Sequence, residues 1–386
     1  MNRYVIIGAG NAGLEAAATL LEKDGEARVD LFNSEADLPY FRPQLTKIID
    51  DLSKLKPVKP KSFFSTPGLH FHPETTVKSV DTAEKRIAAG NKIYPYDKLI
   101  FCTGADAALP PIPNPGKARL FSIRSFADVQ KLHVAAKSRR TAAVIGGGPL
   151  GLETAESLTR LGLHVTVYEI FSRILGRQTD AEAALFLTEF LKSNGISFSV
   201  GSPFTVTGPH HVAPYGELPR QTDVIVVSAG IAPRIRLAAE CGLDVKKGIT
   251  VNDRMQTSVS DIYAAGDCTE WNGKLCGMWL PAGDQGKTAA ANAAGENSVY
   301  VPKAGKMMMN LFGKTILSLG TPEPKGEKGK AASFVNKKNG SYLRIFTDGE
   351  RCTGLFLLGI PSEAAQAVSV FGKTTDSSFT LPDGFQ

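Results

Sequence analysis

The sequence predicts an α/β protein with two Rossmann-like dinucleotide-binding domains and a small C-terminal α+β domain. Three observations carry that expectation. The apolar run Tyr4-Val5-Ile6-Ile7 leads straight into Gly8-Ala9-Gly10-Asn11-Ala12-Gly13. The run Ala142-Ala143-Val144-Ile145 leads into Gly146-Gly147-Gly148-Pro149-Leu150-Gly151 in the same way. After each glycine turn and its helix, a second apolar strand follows at the spacing of a βαβ unit. The glycines allow the tight turn and let the backbone approach a pyrophosphate, which sits at the positive end of the helix. One such pattern is weak evidence. Two, each in strand–turn–helix context, imply two bound dinucleotides, and such a pair points to electrons passing between them.

The elements follow in order. The first unit reads as a strand over 4–7, a helix over 14–22, a strand over 28–33 and a buried strand from Lys98 that ends in the small-residue turn Cys102-Thr103-Gly104. The proline-rich stretch Leu109-Pro110-Pro111-Ile112-Pro113-Asn114-Pro115 works as a linker. The second unit repeats the design: helix 127–138, strand 142–145, helix 150–161, strand 164–168, helix 180–194, and the strand 224–227 ending at Ser228-Ala229-Gly230. That is a duplication in architecture rather than close sequence. The strand Ile262-Tyr263-Ala264-Ala265-Gly266-Asp267 and an alanine-rich helix over 281–294 then return to the first unit. The expected division is 1–109 and 233–300 for the first domain, 110–232 for the second, and 301–386 for a small β-rich module with a helical insertion.

Composition bounds the class. The 386 residues are 42% hydrophobic and 21% charged, ordinary for a soluble globular protein. No apolar run approaches membrane-spanning length. The first strand begins by residue 4, which leaves no room for a signal peptide, so the default expectation is cytoplasmic. The five cysteines form no C-x-x-C pair, which speaks against a disulfide framework or thiolate metal site. The six histidines show no ligand spacing, and His210-His211 reads as loop surface. The net charge of +6 is partly local, in Lys54–Lys61 and Lys325–Lys338. Each run alone reads as solvated surface; the sharper reading is a docking face for an acidic partner. No aromatic–basic interleaving suggests nucleic acid.

An acidic residue at the end of the second strand of such a unit accepts hydrogen bonds from an adenine ribose. Glu169 stands there in the second unit, favouring NADH and repelling a 2′-phosphate; Arg173 and Arg177 nearby are candidates to soften that preference. In the first unit the position is Asn33, with Glu35 two residues on as the acidic candidate. Asp267, at a strand end in a small-residue turn, can reach a hydroxyl-rich ligand, although a plain turn aspartate is the bland alternative.

The four motifs in order — the two fingerprints, Ser228-Ala229-Gly230 and Tyr263-Ala264-Ala265-Gly266-Asp267 — resemble the two-dinucleotide-binding flavoproteins of the pyridine nucleotide-disulfide oxidoreductase class. The resemblance covers roughly residues 1–300. It implies FAD on Gly8, Gly10 and Gly13 and NAD(P)H on Gly146, Gly148 and Gly151, with Glu169 making NADH the expected coenzyme and NADPH the less favoured one. It further implies that Asp267 after Gly266 holds the flavin's ribityl and phosphate region, with Thr103, Gly104 and Gly230 in the turns beside the cofactors.

The segment Leu38–Lys47 selects the branch. Disulfide reductases of this class carry a cysteine pair here, and peroxide-, oxygen- and coenzyme A disulfide-reducing relatives a single cysteine; this chain has none before Cys102. Pro39-Tyr40-x-Arg42-Pro43-x-Leu45-x-Lys47 instead resembles the NADH:rubredoxin and ferredoxin reductases, with Gln44 a mild departure. That resemblance adds Arg42 to the cofactor residues and places the Lys47 ammonium near flavin N5, ion-paired with Glu153. It sets Trp279 over the isoalloxazine, with Gln285 at family spacing in the helix behind it. Cys102 reads as packing. The function implied is electron transfer from NADH through flavin to an acidic small redox protein: rubredoxin, ferredoxin or a flavodiiron-type partner. An NADH oxidase or diaphorase acting on oxygen or quinones, and a non-catalytic redox-sensing flavoprotein, are the alternatives.

Overall fold

Runs of consecutive apolar residues become parallel strands because both faces of such a strand are covered by helices. In the computed structural model, which describes residues 2–113, 118–208, 210–214, 218–303, 305–375 and 380–385, that rule builds two parallel sheets. The chain divides into two compact units. The first comprises 1–44, 54–108 and 230–303; the second comprises 45–53, 109–229 and 304–386.

The first unit holds a five-stranded sheet in the order Ile262–Ala264, Lys98–Phe101, Arg3–Ile7, Arg28–Phe32, Leu69–His72. Every pairing is parallel, with Ile6 in register with Leu31 on one side and Ile100 on the other. Helix Asn11–Lys23 packs on helix Trp279–Ala293, whose buried face is almost all Ala, Gly and Thr. Small side chains let the two backbones come close. The last helix starts at Trp279, two residues earlier than the sequence suggests, because Pro281 suits a helix's first turn as well as its start. An antiparallel meander, Val77–Asp81, Arg86–Ala89 and Lys92–Pro95, fills the chain before Lys98.

The second unit repeats the sheet: Ile196–Val200, His164–Glu169, Thr141–Ile145, Val224–Val227, Leu120–Phe121, again all parallel. Ser125 and Asp128 form a capping box on helix Phe126–Ala136, and Asp180 caps helix Ala181–Ser193. His211 lies on the strand His211–Pro214, paired with Phe204–Gly208, rather than in a loop. Its neighbours Val212 and Ala213 supply buried strand positions that outweigh the turn residues around them.

The C-terminal part of this unit is an antiparallel sheet ordered Lys306–Leu311, Lys314–Gly320, Cys352–Gly359, Ser341–Thr347, Ala331–Asn336. Its helix, Pro361–Val370, follows the last strand and is not an insertion. The partly buried Arg344 holds this sheet to the start of helix Ala181–Ser193 through Asp180 (2.8 Å) and Glu182 (2.6 Å). Asn114 and Pro115 of the expected linker lie outside the described residues. Among the described residues, no helix is long and apolar enough to cross a membrane.

Candidate functional site: two dinucleotide cradles and a half-buried ion pair

In the first cradle, strand Arg3–Ile7 ends at Gly8, whose φ of 110° is open to glycine. A Cβ on Gly8 would overlap the Cys102 carbonyl, and one on Gly13 would overlap the Gly8 carbonyl. The turn is therefore pressed between the neighbouring strand and its own helix. Gly10 is different: a Cβ there would meet no atom within 4 Å. Its backbone faces open space, lined by Ala9, Asn33, Glu35, Asp37, Tyr40 and Arg42. This is a cradle that a phosphate-bearing ligand can approach along the backbone, with a helix N-terminus behind it and a guanidinium at its rim. FAD fits these residues.

Asn33 is buried, and its side-chain amide donates to the carbonyls of Glu35 (2.8 Å) and Asp37 (3.2 Å). It shapes the loop. The acid is Glu35, whose carboxylate pairs with Arg42 and accepts from the Tyr40 hydroxyl at 2.5 Å. Burial disfavours the Arg42 charge, but Tyr40, Glu35 and Asp267 more than offset it and hold the guanidinium above its usual range. Sequence reasoning missed Tyr40 as a partner in this cluster, although the motif contained it.

Asp267 follows Gly266 in the turn after strand Ile262–Ala264. The buried Gln285 accepts from the Gly266 N–H (2.8 Å) and the Thr269 hydroxyl (2.9 Å), so its carbonyl oxygen braces this turn. Asn11, a second residue sequence reasoning missed, donates to the Trp279 carbonyl at 2.6 Å and ties the first cradle's helix to the last one. The Phe41 ring meets Trp279 edge-on at 5.0 Å. Gly104 has a φ of 71° and Gly230 a φ of 111°. The Thr103 hydroxyl bonds the Arg234 carbonyl. All five cysteines are free thiols. Burial pushes Cys102 well above its usual value, which keeps it protonated and unreactive.

The second cradle reproduces the first. Gly146 has a φ of 114°, its Cβ would overlap the Ser228 carbonyl, and a Cβ on Gly151 would overlap the Gly146 carbonyl. Gly148, like Gly10, faces open space. At the end of strand His164–Glu169, the Glu169 carboxylate accepts from the Gly147 N–H (2.8 Å) and the Phe171 N–H (2.9 Å). Two backbone bonds hold the carboxylate at the mouth of the turn, where a ribose would lie. Arg173 does not face it as a free cation: its guanidinium bonds the carbonyls of Thr179 (3.1 Å) and Gly176 (3.3 Å).

Lys47 and Glu153 meet inside the second unit, Nζ to Oε1 at 3.2 Å. Lys47 ends the 3₁₀ turn Arg42–Lys47, and Glu153 lies in helix Pro149–Arg160 behind the second fingerprint. The Thr46 hydroxyl donates to the other Glu153 oxygen at 2.7 Å, and Ser157 donates to the Thr46 carbonyl at 2.7 Å. His133 bonds the Ile49 carbonyl (2.7 Å) and Arg160 pairs with Asp50 (3.4 Å). Residues 45–53 are thus strapped to the second unit by several independent bonds. Burial pushes the Glu153 carboxyl up; Lys47 and Thr46 oppose the shift only in part. The lysine charge is held by a carboxylate that is itself poorly solvated.

Comparison with known proteins gives a consistent result. The family model described as pyridine nucleotide-disulphide oxidoreductase matches residues 2–296. The chain is 31% identical to the nitrite reductase [NAD(P)H] of Bacillus subtilis (strain 168), over 98% of this chain and 48% of that protein. It thus spans about half that relative's length. It is 32% identical to the NADH-rubredoxin oxidoreductase of Clostridium acetobutylicum, over 83% of this chain and 82% of that one. The crystal structure of NADH:rubredoxin oxidoreductase from the same organism aligns with a TM-score of 0.78 at 26% identity, covering 98% of both chains.

Proposed function

The chain belongs to the pyridine nucleotide-disulphide oxidoreductase family, with FAD and NADH as its cofactors, and from that premise we infer that it carries electrons from NADH through flavin to a small rubredoxin- or iron-sulfur-type carrier. The observation that carries this reading is on the acceptor side. No cysteine precedes Cys102, and Cys102 is buried with its thiol held protonated. Residues 1–101 therefore offer no thiol relay, which supports a redox-protein acceptor.

Bound FAD supplies a centre that takes a hydride and gives up electrons one at a time. The protein's work is to hold and orient. The Gly8–Gly13 turn offers backbone N–H groups to the flavin nucleotide's pyrophosphate, Arg42 adds a positive charge there, and Asp267 accepts from the ribityl hydroxyls. The Gly146–Gly151 turn does the same for NADH, and Glu169 accepts from the ribose hydroxyls while repelling a 2′-phosphate. Lys47 presents a fixed positive charge to the electron density that arrives in hydride transfer, and Glu153 keeps that charge in place. Trp279 packs against the flavin ring.

The test is anaerobic. NADH added to the FAD-loaded protein should bleach the flavin within the mixing time, and rubredoxin should restore its colour. A flavin that stays oxidised in excess NADH would end this reading. A relative matched along almost the whole chain is a nitrite reductase, which supports a second acceptor class: a nitrite-reducing protein fed by the same NADH–flavin unit.

A further inference from the structure

We propose that Glu156 is a positioning residue for Lys47: its carboxylate ties the hairpin turn at Phe312 of the C-terminal sheet to Arg160, and Arg160 in turn holds the strap 45–53 that carries the lysine. The C-terminal sheet thereby sets where the lysine's charge stands. All of these residues lie in the second unit. This deepens the Lys47 assignment above and rests on it.

The hairpin turn has an unusual residue at its tip. Leu311 pairs with Lys314, so strands Lys306–Leu311 and Lys314–Gly320 are joined by Phe312 and Gly313 alone. Their φ values are 47° and 79°, the left-handed pair that a two-residue hairpin turn requires. Glycine adopts it freely. A bulky side chain such as phenylalanine does so under strain, and stays there only where its surroundings hold it. The Phe312 N–H donates to Glu156 Oε1 at 2.9 Å.

Glu156 is buried, three residues after Glu153 on helix Pro149–Arg160. Two carboxylates at that spacing on one helix repel each other, and burial makes each more costly. Helix stability gives no reason for the second one; its contacts do. The same Oε1 accepts from the Arg160 guanidinium at 3.3 Å. That guanidinium reaches the strap by two routes. It pairs with Asp50 at 3.4 Å, and it donates to the Ser157 hydroxyl at 3.1 Å, which donates to the Thr46 carbonyl at 2.7 Å. Thr46 immediately precedes Lys47, and its own hydroxyl donates to Glu153.

The ion pair alone does not fix the lysine. Lys47 is 37% exposed on its side chain and 3.2 Å from Glu153, and a lysine is a point charge on a flexible stem. Its place depends on the backbone at 46–47 and on the Glu153 carboxylate, and the Arg160–Ser157–Thr46 bonds bear on both. Arg160 is itself 42% exposed on its side chain. The buried Glu156, held from the other side by the hairpin, is what aims it.

The experiment follows flavin bleaching in the FAD-loaded full chain by anaerobic stopped flow, against NADH concentration. Glu156→Ala should lower the limiting rate about tenfold, inside the hundredfold that a misplacement of ~1 Å can cost, and leave the half-saturating NADH concentration within about twofold. Glu156→Gln removes the same charge but keeps an oxygen for Phe312 and Arg160, so its limiting rate should lie within about twofold of wild type. Lys47→Met should slow bleaching at least as much as Glu156→Ala does. In the double variant Glu156→Ala should add nothing further, because its effect runs through the lysine. Equal losses in the Ala and Gln variants would make the charge responsible and overturn the bridge. So would a wild-type limiting rate in Glu156→Ala beside a slow Lys47→Met, or losses that multiply in the double variant. If Glu156→Ala does not fold, Arg160→Met breaks the same bridge at a half-exposed residue and should show the same loss; a wild-type rate there overturns the proposal. A wild-type rate in Lys47→Met would sink the lysine's role, and its positioning with it, while leaving NADH-to-flavin transfer in place.

Discussion

The two glycine turns share one set of steric constraints but solve the strand-end problem differently. In both, a glycine with φ above 100° is wedged under a carbonyl of the next strand's terminus, and the third glycine is pressed onto the first. In both, the middle glycine opens outward. Beyond the turn they part. The second unit places Glu169 at the strand's last residue and pins it with two backbone N–H groups. The first unit gives that position to Asn33, folds its amide into the loop, and moves the acid to Glu35, which Arg42 and Tyr40 hold. The backbone dictates how a pyrophosphate is approached, so the turn repeats. The side chains that distinguish one nucleotide from another sit one loop later and are free to differ.

Breaking the shared part should have the largest effect, and should separate the units. Gly13→Ala and Gly151→Ala each force a methyl into a backbone carbonyl, an overpacking cost of about 1–3 kcal/mol or more concentrated at the turn. Gly13→Ala should purify with little flavin colour. Gly151→Ala should keep its flavin, yet lose NADH bleaching by about two orders of magnitude. Equal loss of flavin from both variants would mean that the two cradles do not divide the cofactors as described.

Altering the divergent part should cost less. Glu169→Gln removes a charged acceptor from the ribose, a loss of about 1.5–3 kcal/mol, or roughly ten- to a hundredfold in kcat/KM for NADH. NADPH should gain relative to NADH, since the repulsion of its 2′-phosphate goes too. Steady-state rates with both nucleotides check this, and an unchanged NADH/NADPH ratio would remove Glu169 from coenzyme choice. Glu35→Gln should leave that ratio alone and weaken flavin retention about tenfold by releasing Arg42. Flavin dissociation measured by ultrafiltration reads it directly.

The shared part was also the part legible in sequence. Apolar runs before glycine turns are local signals, and every strand of both parallel sheets that flanks a fingerprint was visible in them. The Lys47–Glu153 contact was expected only through family resemblance, because nothing local links residues so far apart. The meander Val77–Asp81, Arg86–Ala89 and Lys92–Pro95 gives little local signal because its strands are short and bury only three residues between them. The ribbon joining Ala105–Ala107 to Ile231–Pro233 is three residues wide and pairs distant segments. The C-terminal sheet closes through one non-local pairing, Lys314–Gly320 with Cys352–Gly359, so the sequence alone does not show that its helix comes after the last strand. Asn33 and Gln285 stand at cofactor-binding positions of their motifs, while much of their hydrogen bonding is spent on bracing turns. A polar side chain beside a glycine turn looks the same in sequence whether it faces inward or outward.

The smallest expected effect sharpens the comparison through pH, because a buried carboxyl in each unit shifts in the direction opposite to the other. On strand Arg28–Phe32 of the first unit, burial would raise Asp30. The His72 ring at 2.7 Å and Arg28 at 3.2 Å outweigh it and hold the carboxyl below its ordinary 3.8. Folding therefore favours the ionised form. That contribution is present above the ordinary value and is lost as pH falls through the depressed one. In the second unit burial wins, and Glu153 lies above its ordinary 4.5. Folding there favours the protonated form, so its contribution is present below 4.5 and is lost as pH rises through the elevated value. Urea denaturation across the acidic range should show stability rising with pH on the Asp30 side and then declining on the Glu153 side. Asp30→Asn should flatten the rise alone, and Glu153→Gln the decline alone. If Glu153→Gln flattened the acid-side rise instead, Lys47 would be the stronger influence on that carboxyl, and the pair would be an ordinary ion pair rather than a lysine held by a reluctantly charged partner.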